Sequence, residues 1–308
     1  NRSRSIDFAG TVLIALTLAP LILAFSKGSD WGWTSPATLG SLAVAVGAGF
    51  AFIAVEKRVS VPLIDLALLR NRVLVASTVA ILIGAGTING LMYLLSLYFQ
   101  NPEALGFSPL QAGLGTLPAT AGLVAVAPLV PRLAAKFGGR SVVGVGFAVT
   151  AAGFAAIGFT ESSWSYTAFL LPLIAVAVGM GLSNGPASSA ATASVPAHQV
   201  GEASGVSNMA RYVGAAVATA LAASINGSVI TSQTAKGQST SEALASGLAT
   251  ASWVMAAFSA AGVVMAVVMA RHRAARGTLA DAAASAAAVS HTLPTSATSK
   301  ADPATTGS

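Results

Sequence analysis

The chain has 308 residues, of which 54% are hydrophobic and only 8% charged, with a formal net charge of +6 at pH 7. Soluble domains carry about 25% charged residues, so this composition excludes a water-soluble globular protein. The lack of cysteine excludes disulfides, thiol catalysis and cysteine-ligated metals. Basic residues without interleaved aromatic residues argue against a nucleic-acid partner.

Apolar residues fall into eight long blocks rather than into amphipathic stripes, which indicates that lipid surrounds them. Most blocks have about the 17 to 25 residues that a helix needs to cross a bilayer. In chain order the blocks are residues 8–25, 38–55, 73–98, 110–130, 141–159, 167–190, 206–225 and 249–270. The sequence therefore predicts an all-α, polytopic transmembrane helix bundle of about eight helices.

The two ends of the chain differ from the blocks between them. The sequence starts with neither Met nor a signal-peptide pattern, which indicates a piece of a longer protein. After Arg276 the composition shifts to Ala, Ser, Thr and Pro. Such a segment buries too little apolar surface to offset its ordering entropy, so residues 274–308 are predicted to be a disordered tail. The composition allows a short helix at 279–289.

Basic residues in the links predict the orientation, because positive charges stay on the cytoplasmic side. If Asn1 starts in the cytoplasm, the outer links contain only Lys27 and Lys236. The inner side then holds fourteen basic residues: Arg2, Arg4, Lys57, Arg58, Arg70, Arg72, Arg132, Lys136, Arg140, Arg211, Arg271, Arg273, Arg276 and Lys300. We expect a multi-pass protein of the cell (inner) membrane with both ends cytoplasmic.

Polar side chains inside the apolar blocks are costly in hydrocarbon, so they should face a protein interior or a wet cavity. Pairs at helical spacing share one face of a helix. The predicted lining of a substrate cavity is Asn89, Tyr93, Thr116, Thr120, Asn184, Asn208 and Arg211. The alternatives are interhelical hydrogen bonds, worth about 0.6 kcal/mol each, and, for Arg211, a side chain that snorkels to the cytoplasmic surface.

The sixth block contains Pro172 and Pro186, and Gly185 precedes the second proline. Proline removes a backbone donor and clashes with the preceding turn, which predicts a kink and a gating motion of this helix. The alternative is that these residues only bend and pack the bundle.

All ten acidic residues lie at block ends, in links or in the tail. A buried carboxylate of raised pKa is the usual device by which a membrane protein couples to protons, so if this protein does so, the coupling acid is expected outside this chain. Glu202 is the nearest candidate, and its simpler role is to complement a helix dipole. His198, His272 and His291 are scattered, so we predict no metal site, no cofactor and no catalytic residues.

Six sequence pieces, in their order, resemble the C-terminal part of a fourteen-helix drug:proton antiporter of the major facilitator superfamily. The pieces are RSRSIDFAG, WGWTSP, PLIDLALLRNR, YFQNPEALGFSPLQAGLGTLP, PRLAAKFGGR and VPAHQVGEASGVSNMARYVG. The resemblance extends from Arg2 to about Arg273. It implies that residues 1–72 form two extra helices and a cytoplasmic link, that 73–273 form the C-terminal six-helix half, and that an N-terminal half is missing.

One of these pieces, PRLAAKFGGR, is similar to the cytoplasmic loop pattern G-x-x-x-D-R-x-G-R of the family. Lys136, Gly138 and Arg140 match the pattern, whereas Ala135 stands where the acidic residue would be. This departure puts the charge lock of that loop in doubt. The alternative is a tight basic turn that obeys the positive-inside rule.

The resemblance implies proton-coupled efflux of small amphipathic molecules by rocking of two halves around a midplane site. The implied partners are the bilayer, the substrate, protons and the missing half. A non-transporting remnant or membrane partner subunit is the alternative function. Neither the residues nor the resemblance identifies the substrate, and lipid-like molecules, peptides and metabolites are equally compatible.

Overall fold

The structure, a computed structural model, describes residues 8–59 and 64–292, with nearly all side chains up to Val267. Arg2, Arg4 and the end of the predicted tail at 293–308 lie outside the described residues. The described secondary structure is entirely helical, which confirms the predicted fold class.

Ten α-helices and two short 3₁₀ helices follow one another in residues 8–59 and 64–292. They are α1 (Phe8–Trp31), α2 (Pro36–Glu56), a 3₁₀ helix (Leu66–Arg70), α3 (Arg72–Gln100), α4 (Pro109–Gly115), α5 (Leu117–Val126), α6 (Leu129–Phe137), α7 (Gly139–Ile157), α8 (Tyr166–Ala193), a second 3₁₀ helix (Ala197–Gln199), α9 (Val200–Ala235) and α10 (Thr240–Thr292). Seven are long and apolar enough to cross a membrane, and α4 to α6 together provide an eighth if the bent chain counts as one span.

Helix starts follow local sequence signals. The Asn71 side chain accepts hydrogen bonds from the amides of Val73 and Leu74 at 3.1 and 3.3 Å and so caps α3. Ser108 and Gln111 form a reciprocal capping box at the start of α4. Each cap satisfies amides that a first turn leaves without partners.

The fourth apolar block differs from its prediction as one helix. The chain bends by 53° between residues 109–126 and Leu129–Phe137. Pro118 lies in the first turn of α5 and Pro128 precedes α6, and proline cannot donate the backbone hydrogen bond that a continuous helix needs.

The predicted cytoplasmic loop around Lys136, Gly138 and Arg140 is a tight turn between two helices, as the alternative interpretation of the sequence had it. Lys136 lies in the last turn of α6 and Arg140 in the first turn of α7. The turn between the two helices is Gly138, whose φ of +83° lies in the left-handed region that favours glycine.

Two backbone contacts hold the bundle together. α3 and α9 run parallel, and a Cβ built at Gly86 would lie only 2.8 Å from the carbonyl oxygen of Gly214. α7 and α8 run antiparallel, and a Cβ at Gly146 would lie 2.6 Å from the carbonyl oxygen of Gly179. Since lipid removes the hydrophobic drive between helices, such close approach of small residues supplies the packing that holds them. α3 also packs against α8 and so joins the two pairs.

Seven basic residues mark one end of the bundle, which we call the basic end. Here α2, α6 and α8 finish and α3, α7 and α9 begin. The residues are Lys57, Arg58, Arg70, Arg72, Arg132, Lys136 and Arg140.

The last two helices are longer than predicted. α9 has 36 residues, roughly 54 Å at 1.5 Å per residue, and so exceeds a hydrocarbon core of about 30 Å. α10 continues to Thr292, and its residues from Arg271 onward belong to a second compact unit. The composition predicted disorder from residue 274, whereas the structure has helix there as far as Thr292. The high helix propensity of alanine accounts for this helix. The disorder of residues 274–308 stays a prediction.

Candidate functional site

Three helices bring polar groups together in the half of the bundle nearer the basic end. The Arg211 guanidinium on α9 donates to the Asn184 side-chain oxygen on α8, with an Nη1 to Oδ1 distance of 3.5 Å. The same oxygen lies 3.9 Å from the Cβ position of Gly84 on α3. Gly84 therefore leaves room for the amide that Arg211 contacts. We call Gly84, Asn184 and Arg211 the polar cluster.

The polar cluster lies well inside the predicted spans. Arg211 follows the start of α9 at Val200 by eleven residues, and Asn184 precedes the end of α8 at Ala193 by nine. At 1.5 Å per residue these positions are roughly 16 and 14 Å from the ends of their helices that lie at the basic end, which places the two side chains at a similar depth. Arg211 therefore contacts a group on the neighbouring helix at its own depth; its role in the cavity stays a prediction.

Open space borders the polar cluster. Asn208, one turn before Arg211 on the same helix, is exposed. No described atom lies within 4 Å of a Cβ built at Gly185 on α8 or at Gly205 on α9. Asn208 therefore presents an uncovered polar side chain one turn from the guanidinium.

The structure does not bring all predicted lining residues to this place. Asn89 is exposed, and its amide donates to the Ala85 carbonyl of its own helix at 2.8 Å. The Thr116 hydroxyl likewise donates to Gly113 at 2.8 Å. These bonds stay within one chain segment, so they are not the interhelical bonds considered as an alternative.

Tyr93 and Thr120 occupy different surroundings. Tyr93 is half-buried and packs against the main apolar core between α3, α8 and α10. Thr120 is exposed on α5. Their role in a cavity stays a prediction.

The two prolines of α8 are buried, and the helix continues through both. The Pro172 carbonyl oxygen lies 3.0 Å from a Cβ built at Gly153, and the Pro186 ring lies 3.9 Å from a Cβ built at Gly139. Both prolines therefore pack closely against α7, whereas Gly185 is exposed. A kink or gating motion at these residues stays a prediction.

The described carboxylates lie away from the polar cluster. Each is at a helix end or in a link: Glu56, Asp65, Glu103, Glu161, Glu202 and Glu242. Within the part of the chain whose side chains are described, no acidic group shares the depth of Arg211. The half-buried guanidinium thus has an amide oxygen as its hydrogen-bond acceptor.

A hydrogen-bonded clip at the basic end was not predicted from the sequence. The Gln199 side-chain amide donates to the Asp65 carboxylate at 3.2 Å, and the Asp65 backbone amide donates to the Glu202 carboxylate at 3.2 Å. The Asn71 amide donates to the Ser194 carbonyl at 2.7 Å. These bonds join the α2–α3 link to the α8–α9 link. The Glu202 carboxylate therefore accepts a hydrogen bond from the Asp65 backbone amide. From its position in the sequence, Glu202 was expected only to complement the dipole of its helix.

Metal ligands do not gather in the described residues, where no group of three His, Asp or Glu side chains has the arrangement to hold an ion. His198 lies in the second 3₁₀ helix, and the side chains of His272 and His291 lie outside the described residues.

Long apolar helices with polar groups enclosed between them define a multi-pass membrane protein. The model of the Major Facilitator Superfamily matches residues 4–219. The chain therefore belongs to this superfamily. Its members are transporters, which confirms the prediction that the chain is not an enzyme.

Relatives with assigned names support the same class. The chain is 29% identical over 225 residues to the multidrug resistance protein Stp of Mycobacterium tuberculosis, which covers 73% of this chain and 41% of Stp. It is 29% identical over 218 residues to the tetracenomycin C resistance and export protein of Streptomyces glaucescens, covering 71% of this chain and 40% of that protein. A tetracycline resistance determinant of Streptomyces rimosus is 32% identical over 225 residues, with coverages of 71% and 63%. The chain thus spans less than two thirds of each relative.

Proposed function

We propose that this chain is part of a secondary active transporter that exports small amphipathic molecules or drugs in exchange for protons. The observation that carries the proposal is the superfamily match over residues 4–219. The relatives named for multidrug resistance and for tetracenomycin C export support the direction of transport and the type of cargo.

In this proposal the chain supplies one wall of a two-sided site. Residues 1–72 would be the extra helix pair of a fourteen-helix protein, and 73–273 its C-terminal six-helix half. The first-named relative supports this division, since the chain covers only 41% of it. The basic end faces the cytoplasm of a cell whose inner membrane holds the protein, as the positive-inside rule requires. An N-terminal half provides the opposite wall.

Proton coupling in this proposal depends on an acid outside this chain. A carboxylate that loads and releases a proton during transport needs a partly desolvated position to raise its pKa. The six described carboxylates lie at helix ends or in links instead. The N-terminal half is therefore where the coupling acid belongs.

The test measures the efflux of a panel of cationic and acidic dyes, ethidium among them, from cells that express the protein at its native length. Asn184→Ala removes the group that Arg211 contacts, and Asn89→Ala removes an exposed amide of α3. We expect Asn184→Ala to slow efflux several-fold without changing the amount of protein in the membrane, because the site loses a polar contact. Gln238→Ala, in the exposed link between α9 and α10, is the matched control.

A protonophore added to the same cells tests the coupling. Proton-driven export stops when the gradient collapses. Efflux that continues would contradict proton coupling, and equal efflux by all variants across a panel of dyes would remove Asn184 and Asn89 from the site.

A non-transporting subunit is the second candidate, because one half of a two-sided transporter cannot enclose a site alone. Blotting of native membranes with an antibody against residues 277–308 separates the two. A band well above the 30.4 kDa of this chain supports the single long transporter. A band at 30.4 kDa requires a separate partner that supplies the other wall.

A further inference from the structure

Arg211 is a half-buried cation at a depth where the described part of the chain offers no anion. Its acceptor is the neutral Asn184 oxygen at 3.5 Å, a distance at the long limit of a hydrogen bond. A guanidinium has five N–H donors. The six described carboxylates lie at helix ends or in links. A cation removed from water without a counter-charge is costly, so such groups mark sites for ions or substrates in membrane proteins.

The geometry around Arg211 suits a planar oxyanion. A guanidinium pairs with a carboxylate through two parallel N–H···O bonds, which a lysine ammonium cannot reproduce. The Asn184 amide beside it carries two further N–H donors. Gly84 contributes no side chain behind them. The Arg211 and Asn184 side chains are only half-buried, and Asn208 one turn away is exposed. An incoming group can therefore reach both donors.

We propose that Arg211 and Asn184 form an oxyanion site that binds a carboxylate. The carboxylate belongs either to a transported molecule with an acidic group or to a residue of the facing half. The first source rests on the proposed function and narrows the cargo to molecules that carry an acid. The second source makes the site a charge contact between two halves.

The test uses a cysteine in place of Asn208, which is exposed and one helical turn from Arg211. This chain has no cysteine, and any cysteine in the rest of the native-length protein is first replaced by serine. Residues three apart on a helix have Cβ atoms about 5 to 6 Å apart. The purified protein, at its native length and in detergent, reacts with an anionic thiosulfonate (sulfonatoethyl) and with a cationic one (trimethylammonioethyl). The ratio of the two rates reports the local charge without requiring transport.

If a soluble acid fills the site, the anionic reagent reacts faster, sodium benzoate slows the reaction, and Arg211→Gln lowers the rate ratio about tenfold through loss of one nearby charge. If a carboxylate of the facing half fills it, the two reagents react at similar rates, benzoate has no effect, and Arg211→Gln shifts the preference to the cationic reagent. A rate ratio that is the same with and without Arg211, or no reaction with either reagent, overturns the proposal.

Two controls keep the result specific. A cysteine at Ser228, exposed on α9 and roughly 26 Å along the helix from Arg211, should show no response to Arg211→Gln, since about 10 Å of separation screens a charge in 0.1 M salt. Arg211→Lys keeps the positive charge but loses the pair of parallel N–H donors of the guanidinium. It should retain the reagent preference while benzoate protects at least threefold less well, and equal protection overturns the paired-donor geometry. Efflux measurements do not enter this test, so its failure leaves the transport proposal standing.

Discussion

Helices α1 and α2 contrast with α3. The first two have the highest mean hydropathy of the candidate spans, yet only 11% and 17% of the residues in their most apolar stretches are buried; for the less apolar α3 the value is 61%. In a soluble protein the most apolar helix would be the most covered. Here lipid accepts apolar side chains, so the covered helix is the one that offers small and polar residues to its neighbours.

The glycines of the two regions also differ in how closely they are packed. A Cβ built at Gly40 or Gly47 of α2 meets nothing within 4 Å, whereas one at Gly86 or Gly90 of α3 meets backbone or side-chain atoms of α9 and α10 at 2.8 to 3.7 Å. Replacing glycine with a larger residue should therefore be tolerated in α2 and should destabilise the packing of α3.

The largest effect is expected at the α3–α9 contact. A leucine at Gly214 would overlap the backbone of Leu82, and overpacking against backbone cannot be relieved by a rotamer change. Gly214→Leu should destabilise the protein by about 3 kcal/mol and lose most folded material on detergent extraction, measured by gel-filtration fluorescence. Gly47→Leu is the matched control and should extract normally. Equal yields would mean that α3 and α9 do not pack as described.

The next effect compares two phenylalanines. Phe99 at the end of α3 is fully buried, with ring centroids of Phe107, Tyr166 and Phe169 at 5.8, 5.9 and 5.5 Å. Phe50 on α2 is 72% exposed. Phe99→Ala should cost about 3 kcal/mol because it leaves a cavity, and Phe50→Ala should cost much less because lipid replaces its contacts. Thermal unfolding in detergent measures both. A larger loss for Phe50→Ala would reverse the comparison of the two regions.

The smallest effect concerns the clip that ties the α2–α3 link to the α8–α9 link. Asp65→Ala removes the acceptor for the Gln199 amide and for the Ala67 amide at 2.8 Å, and loss of a helix cap costs about 1 kcal/mol. Trypsin should therefore cut the link at Lys57, Arg58, Arg70 or Arg72 about fivefold faster. Glu161→Ala, in the α7–α8 link, should leave that rate unchanged. If both variants are cut like the wild type, the clip does not hold the link.

Composition and block length were enough to predict the helical class and the approximate number of spans, because a bilayer imposes a length on any helix that crosses it. The break in the fourth block was harder to predict from the sequence. Pro118 and Pro128 were visible, but a proline can be tolerated inside a membrane helix, as Pro172 and Pro186 are in α8.

Asn184 and Arg211 were each predicted as cavity residues, but the hydrogen bond between them was not predicted. Helix pairing decides which residues lie at the same depth, and no local pattern encodes it. Gly84 and the clip residues Gln199 and Asn71 were missed for the same reason: their partners are distant in sequence. The lining role of Tyr93, Thr120 and Asn208 stays a prediction.

The bend before α6 also locates the membrane surface. Leu129 and Phe137 are 47% and 58% exposed, while Arg132 and Lys136 of the same nine-residue helix are exposed as well. Neither water nor hydrocarbon alone suits such a helix, but the headgroup layer suits both kinds of side chain. Each basic residue gains about 1 kcal/mol beside anionic lipids. The lipid composition of the host membrane therefore influences how firmly this end of the bundle is held at its depth.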